Sequence, residues 1–176
     1  MHIKLKRAPG IFIVGFMGSG KSTAGRLVAD RIGWQFADLD EQIEAKEQDT
    51  IAHIFQARGE AEFRQVETEM IGAYVRHVVR GAPTVIALGG GAFVQPANFD
   101  LIKSHGISIW LDCSFESVQR RISADTRDRP LARDPEKLRR LFDDRSAAYS
   151  QADFRIDGNC ETEKTVEAIL ALPLWK

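Results

Sequence analysis

Residues Gly15-Phe16-Met17-Gly18-Ser19-Gly20-Lys21-Ser22 form an unbroken G-x-x-x-x-G-K-[ST] run, and their flanks restrict its meaning further. Directly before it stands Ile11-Phe12-Ile13-Val14, four apolar residues that read as a strand buried on both faces. Directly after it, the segment from Lys21 to about Ile32 reads as a helix. Strand, glycine-rich loop and helix in that order let backbone N–H groups curl around phosphate oxygens. Gly18 and Gly20 permit the curl because no Cβ obstructs it. The helix N-terminus adds the positive end of its dipole. Lys21 would then reach the β- and γ-phosphates, and the Ser22 hydroxyl would ligate Mg²⁺. A glycine-rich turn that merely contains a lysine would not need this strand and this helix around it. Gly18, Ser19, Gly20, Lys21, Ser22 and Thr23 are therefore the expected nucleoside triphosphate site.

The rest of the chain repeats the strand–helix alternation. Strands are expected at Gln35 to Leu39, Thr84 to Leu88, Ile107 to Leu111 and Phe154 to Ile156. Helices are expected at Glu41 to Lys46, Ile51 to Ala57, Ala61 to Val79, Ala97 to Ser104, Phe115 to Ile122, Pro135 to Ala148 and Thr162 to Leu170. Such alternation predicts an α/β fold of three layers, with a mostly parallel five-stranded sheet between helices. A length of 176 residues suits one domain, 1–176. The stretch from Ser123 to Asp134 is densely charged and nearly free of large apolar residues, and is expected to be an exposed lid at about 123–135.

Composition excludes several classes. With 24 basic against 25 acidic residues the net charge is -1, so no general field favours nucleic acid or an anionic membrane, and any anion site must be local. Apolar runs are far shorter than the roughly 20 residues of a membrane-spanning helix. The basic N-terminus leads into glycine rather than a long apolar stretch, which argues against a signal peptide. Cys113 and Cys160 have neither CxxC spacing nor histidine partners, so reduced thiols in a cytoplasmic protein are expected.

Val85-Ile86-Ala87-Leu88 lacks the acid that often supports Mg²⁺ at the end of a second apolar strand, and runs into Gly89-Gly90-Gly91 instead. Three glycines after a buried strand mark a close approach of the backbone to something. The missing carboxylate has a candidate in Asp38-Leu39-Asp40, where strand alternation would put both acids on one face. A plainer role is open to Asp40 as a cap for the helix that follows.

Taken in order, the phosphate loop, Asp38-Leu39-Asp40, Gly59-Glu60-Ala61-Glu62-Phe63-Arg64, Leu88-Gly89-Gly90-Gly91-Ala92, Arg129-Pro130-Leu131 and Arg145-Ser146-Ala147-Ala148-Tyr149 resemble the shikimate kinase family. The resemblance covers residues 11–149 and departs modestly at Ala132, where a leucine is commoner. It implies an enzyme that uses MgATP to phosphorylate the 3-hydroxyl of shikimate, a monomer with no nucleic acid or membrane partner. By that resemblance Asp40 binds and orients the attacking hydroxyl, while Arg64 and Arg145 grip the substrate carboxylate. Gly89, Gly90 and Gly91 pass close to the substrate, Phe55 and Phe63 wall its pocket, and residues 40–70 form the acceptor-binding region. Asp38 would support Mg²⁺ through water beside Ser22, Arg121 would pack on adenine, and Arg129 is the lid arginine, favoured over Arg127 by the adjacent Pro130. Lys21, Asp40 and Arg129 are thus the implied catalytic set.

The residue types suit these jobs on their own chemistry. A guanidinium fork holds a carboxylate bidentately. Phosphoryl transfer needs cations around its equatorial oxygens. An Asp of ordinary pKa is a poor base for an alcohol, so positioning by Asp40 is expected to outweigh proton removal. Two other readings stand beside this one: a kinase of another small acid, gluconate-like, and a nucleotide-binding scaffold without turnover. Arg64, with Glu60 and Glu67 three or four residues away, could also serve in surface ion pairs alone.

Overall fold

Five stretches have the β-branched and aromatic content that a pleated surface accommodates. The computed structural model, which describes residues 10–125 and 134–175, gathers them into one sheet. In chain order the elements are β1 (Gly10–Val14), α1 (Lys21–Ile32), β2 (Gln35–Asp38), α2 (Leu39–Glu47), α3 (Ile51–Val79), β3 (Thr84–Ala87), α4 (Pro96–His105), β4 (Gly106–Asp112), α5 (Phe115–Ala124), α6 (Pro135–Tyr149), β5 (Phe154–Asp157) and α7 (Thr162–Leu170). The sheet order is β2-β3-β1-β4-β5, with every neighbouring pair parallel. Ile11 lies opposite Val85 on one side and Ile107 on the other.

Alternation along the central strands sends side chains into two separate cores. Phe12, Val14, Ile86 and Trp110 pack against Ile43, Ile54, Ile71, Ile102 and Leu138 from α2, α3, α4 and α6. Ile11, Ile13, Val85 and Ile109 face the other way, against Val28 and Ala29 of α1 and Val166 and Ile169 of α7. Helices therefore cover both faces, as expected for three layers. Trp110 is buried and Phe115 half-buried against the first core, in line with the core role expected of them. Strand order reverses around β1, and at such a point the carboxyl ends of the strands leave a crevice for a ligand.

Several boundaries differ from the sequence reading, each for a local reason. The second strand stops at Asp38 because its carboxylate caps α2, so Leu39 is already helical. The two helices expected at Ile51 to Ala57 and Ala61 to Val79 meet without a loop, joined at Gly59, whose φ of 83° and ψ of 167° break the helical geometry. A Cβ at Gly59 would meet nothing within 4 Å, so the backbone conformation and not lack of space demands glycine there. At the expected lid, Ser123 and Ala124 belong to α5 and Pro135 opens α6, while residues 126–133, with Arg127, Arg129 and Ala132, lie outside the described residues.

The two-core arrangement predicts a large packing loss at the sheet centre. Ile86→Ala, at a fully buried position of β3, is expected to cost about 2–5 kcal/mol. The loss should register as a lower urea midpoint with an unchanged m-value.

Candidate active site

The loop after β1 ends at Gly20, whose φ of 87° is left-handed and which caps α1 without a side-chain bond. No acidic residue occupies the first turn of α1. Its leading N–H groups and dipole are thus left to an outside acceptor, the arrangement that holds phosphate. Lys21 folds back over the loop, its Nζ donating to the Phe16 carbonyl at 2.8 Å. The Ser19 hydroxyl is buried and has no partner among the described residues. Next to it a cavity of about 280 Å³ is lined by Ser19, Gly20, Thr23, Arg121, Gly158 and Thr162 among others. Arg121 is tied across that cavity, donating to the Gly158 carbonyl at 2.9 Å and to the Gly18 carbonyl at 3.4 Å.

Asp38 links this half of the site to the next. One carboxylate oxygen accepts from the Ser22 hydroxyl; the other accepts from the N–H of Asp40 at 3.0 Å and of Glu41 at 3.3 Å. Two sequence expectations are corrected by this geometry. Asp38 and Asp40 are not neighbours on one strand face, since the strand has ended and Asp40 sits in the first turn of α2. Asp38, not Asp40, is the cap, because only its carboxylate can reach back to the first free N–H groups.

The Asp40 side chain is thereby released toward the three glycines. A Cβ at Gly89 would come within 2.6 Å of Asp40 Oδ1, and one at Gly90 within 3.2 Å of Arg145 Nη1. At Gly91 it would overlap the Arg64 guanidinium. The glycine run is therefore a floor on which Asp40, Arg64 and Arg145 meet, from α2, α3 and α6. Phe55 and Phe63 stand beside them with ring centroids 4.5 Å apart, and the Arg64 guanidinium lies 5.8 and 5.2 Å from those centroids. In an unbroken helix residues eight apart are separated by about 12 Å along the axis; the break at Gly59 brings the two rings together.

Burial sets the electrostatics of this floor. Desolvation, helped by the nearby Asp38 charge and opposed by Lys21, pushes the Asp40 carboxyl up to about 6. The ordinary acidity assumed for it from sequence does not hold. Arg64 does pair with Glu60 at 3.3 Å and with Glu67 at 2.8 Å, but it is only 14% exposed, so the surface reading fails. Arg145 is buried too, and desolvation weakens its hold on its proton. Among the described residues no carboxylate forms an ion pair with Arg145. Two guanidinium groups held so close, one of them without a carboxylate partner among the described residues, favour an incoming anion.

Glu67 entered the sequence reading only as a surface partner for Arg64, and Tyr149 only as the last residue of a motif, with no site role for either. Glu67 is 1% exposed and bonds Arg64; the Tyr149 hydroxyl donates to the Gly90 carbonyl. Both had a signal. Phe63, Glu67, Ile71, Val75 and Val78 form a buried helical stripe with a charge in its middle, and Leu138, Arg145 and Tyr149 form another. The turn around Gly158 to Thr162, where no contact could be placed from sequence, lines the cavity beside the phosphate loop.

An uncapped helix end behind a lysine-bearing loop, next to a pocket with a carboxylate and two arginines, defines a P-loop phosphotransferase acting on a small anionic acceptor. Residues 17–172 match the family model described as shikimate kinase. The chain is 40% identical over 162 residues to a shikimate kinase of Sulfurihydrogenibium sp. strain YO3AOP1, covering 91% of this chain and 95% of that one. Among solved structures it resembles shikimate kinase from Aquifex aeolicus (34% identity, TM-score 0.81, 92% and 94% of the two chains). It also resembles shikimate kinase from Acinetobacter baumannii in complex with shikimate (35% identity, TM-score 0.83, 94% and 95%). The chain belongs to the shikimate kinase family.

Glu67 gives a pH test of the pocket. Burial raises its pKa from the ordinary 4.5 to about 7, against the opposing pull of Arg64. Between those values the folded state keeps a proton that the unfolded chain has lost, so stability falls as pH rises. Glu67→Gln abolishes that titration. Between about pH 5 and about pH 8 the wild type is expected to lose stability relative to the variant, read from urea midpoints. A constant difference would mean Glu67 titrates as an ordinary carboxylate.

Proposed function

We propose that this chain is a shikimate kinase, transferring the γ-phosphoryl group of MgATP to the 3-hydroxyl of shikimate and releasing ADP and shikimate 3-phosphate. The observation that carries the reading is the meeting of Asp40, Arg64 and Arg145 on the Gly89–Gly91 floor, against the phosphate loop, where a Cβ at Gly90 would lie 3.4 Å from the Met17 nitrogen. An acceptor with one carboxylate and several hydroxyls on a compact ring matches that set. Family membership supports the same substrate.

In this reading Arg64 and Arg145 hold the carboxylate as a pair of forks. Phe55 and Phe63 cover the apolar side of the ring, and the Gly90 backbone lies against it. Asp40 accepts the hydrogen bond of the attacking hydroxyl. Its pKa of about 6 makes it a better proton acceptor than an ordinary aspartate, nearer the value at which a general base works at neutral pH. Lys21 and the N–H groups of the loop balance the charge that spreads over the transferring phosphoryl. Lys21 is near enough to Asp40 to oppose the rise in its pKa, which supports setting the phosphoryl donor beside the acceptor hydroxyl. Thr23 and Arg121 border the cavity on the nucleoside side, where Arg121 offers a flat cationic face to a base. Arg129, on the resemblance, joins Lys21 at the phosphoryl group from a lid near 123–135.

Mg²⁺ fits the residues present. The Ser22 hydroxyl and the Asp38 carboxylate bond each other beside the loop, an all-oxygen pair of the kind this ion takes alongside waters and phosphate oxygens. Ser22 would hold it directly and Asp38 through water, and the ion would supply positive charge against the nucleotide's phosphates.

The same resemblance supports a monomeric single-domain enzyme of the cytoplasm, where ATP is plentiful. No described helix is long and apolar enough to cross a membrane.

A coupled ADP-release assay with shikimate, gluconate and no acceptor tests the reading. Turnover of gluconate with none of shikimate would refute the substrate. ATP binding without any acceptor-dependent turnover would favour a scaffold. Asp40→Asn is expected to lower kcat by about 10²–10⁴-fold while ATP binding stays close to wild type; near-full activity would remove Asp40 from the mechanism.

A further inference from the structure

Three successive glycines are a poor material for a binding floor, because each samples backbone conformations closed to other residues. This floor is nevertheless held at both ends. Leu88 N–H donates to the Ile13 carbonyl at 3.0 Å, Ala92 N–H to the Gly89 carbonyl at 3.1 Å, and Asn98 Nδ2 to the Ala92 carbonyl at 2.9 Å. Its middle has one side-chain bond among the described residues, from the Tyr149 hydroxyl to the Gly90 carbonyl. We infer that Tyr149 is a positioning residue for the acceptor: its hydroxyl pins the Gly90–Gly91 peptide in the orientation that the acceptor meets.

The geometry makes the pin effective. In a trans peptide the carbonyl and the following N–H point opposite ways, so fixing the Gly90 carbonyl fixes the direction of the Gly91 N–H. No described bond uses the N–H of Gly90 or Gly91, which leaves both for a ligand. Tyr149 itself cannot wander. It is 1% exposed, closes α6, and packs its ring 6.1 Å from that of Trp110 on the central strand β4. Burial drives its phenol pKa upward, so the group remains a donor at physiological pH. Tyr149 also follows Arg145 by four residues, one helical turn on the same face. One turn of α6 thus delivers both the guanidinium and the pin to the same side of Gly90, where a Cβ would lie 3.2 Å from Arg145 Nη1 and 3.7 Å from the Tyr149 hydroxyl. Any slide of α6 would move the two together.

The inference rests on the acceptor site proposed above, and its test separates the two. Tyr149→Phe keeps the ring and removes only the hydroxyl. The acceptor KM is expected to rise about 3- to 12-fold, the range of one lost neutral hydrogen bond, while the ATP KM stays within about twofold. A purely structural tyrosine would instead lower the melting temperature, or move both KM values alike. Tyr149→Leu, which removes ring and hydroxyl together, should show such a general loss. In a second readout, amide exchange at Ala92, whose bond closes the floor, should quicken about tenfold in Tyr149→Phe while the 15–22 loop is unchanged. That measurement needs no acceptor. If the wild type ignores shikimate yet Ala92 exchange quickens, the substrate assignment falls and the pin stands. Unchanged exchange, or an acceptor KM that does not move, overturns the pin.

Discussion

The Asp38 carboxylate joins the two halves of the molecule that must cooperate. One oxygen receives the Ser22 hydroxyl at the head of α1; the other receives two N–H groups at the head of α2. Removing that link would leave α2 uncapped, a loss of about 0.5–2 kcal/mol, and would loosen the registry between the phosphate loop and Asp40. Its position at the very end of β2 matters, since the strand pairs in parallel with β3 and sets Asp38 opposite Ala87, two residues before the glycine floor. The sheet thereby aligns cap, floor and loop in one row of strand ends.

Two helix beginnings lie side by side here with opposite treatment. The head of α2 carries its own anions, with Asp38 as cap and Asp40 and Glu41 in the first turn. The head of α1 carries none. A helix with its own acids is electrostatically closed, whereas one without them remains open to a foreign anion. That contrast leaves the α1 end, and not the α2 end, open to phosphate although both helices follow strands. The cost of the acidic α2 head falls on Asp40, whose proton affinity is raised first by its loss of water and then by the nearby Asp38 charge.

The elements were legible because their causes are local. Central strands buried on two faces read as continuous apolar runs, helices as stripes, and the loop–helix spacing as a phosphate grip. Boundaries slipped where two local rules competed, as at Asp38-Leu39-Asp40, where strand alternation and helix capping both fit and only the cap survived. Motif order supplied Asp40, Arg64 and Arg145, yet nothing in their sequence spacing says that they share one floor; that follows from the β2–β3–β1 pairing. The acidity of Asp40 and Glu67 was invisible for the same reason, since it depends on what other segments bury them. Glu67 and Tyr149 escaped because each lies inside a stripe that reads as plain core until the one polar member is asked what it bonds.

The break at Gly59 has a consequence for how this pocket could change its diet. The rings of Phe55 and Phe63, inclined 37° to each other and with Arg64 beside both, hang on opposite arms of an elbow whose angle is set by a single torsion pair. Opening or tightening that elbow would widen or narrow the gap between the arms without altering one contacting side chain. Asp40 and Arg145 sit on α2 and α6, off the elbow, whereas Arg64 rides on the arm beside Phe63, so a change at the hinge would move one of the three charges together with the rings.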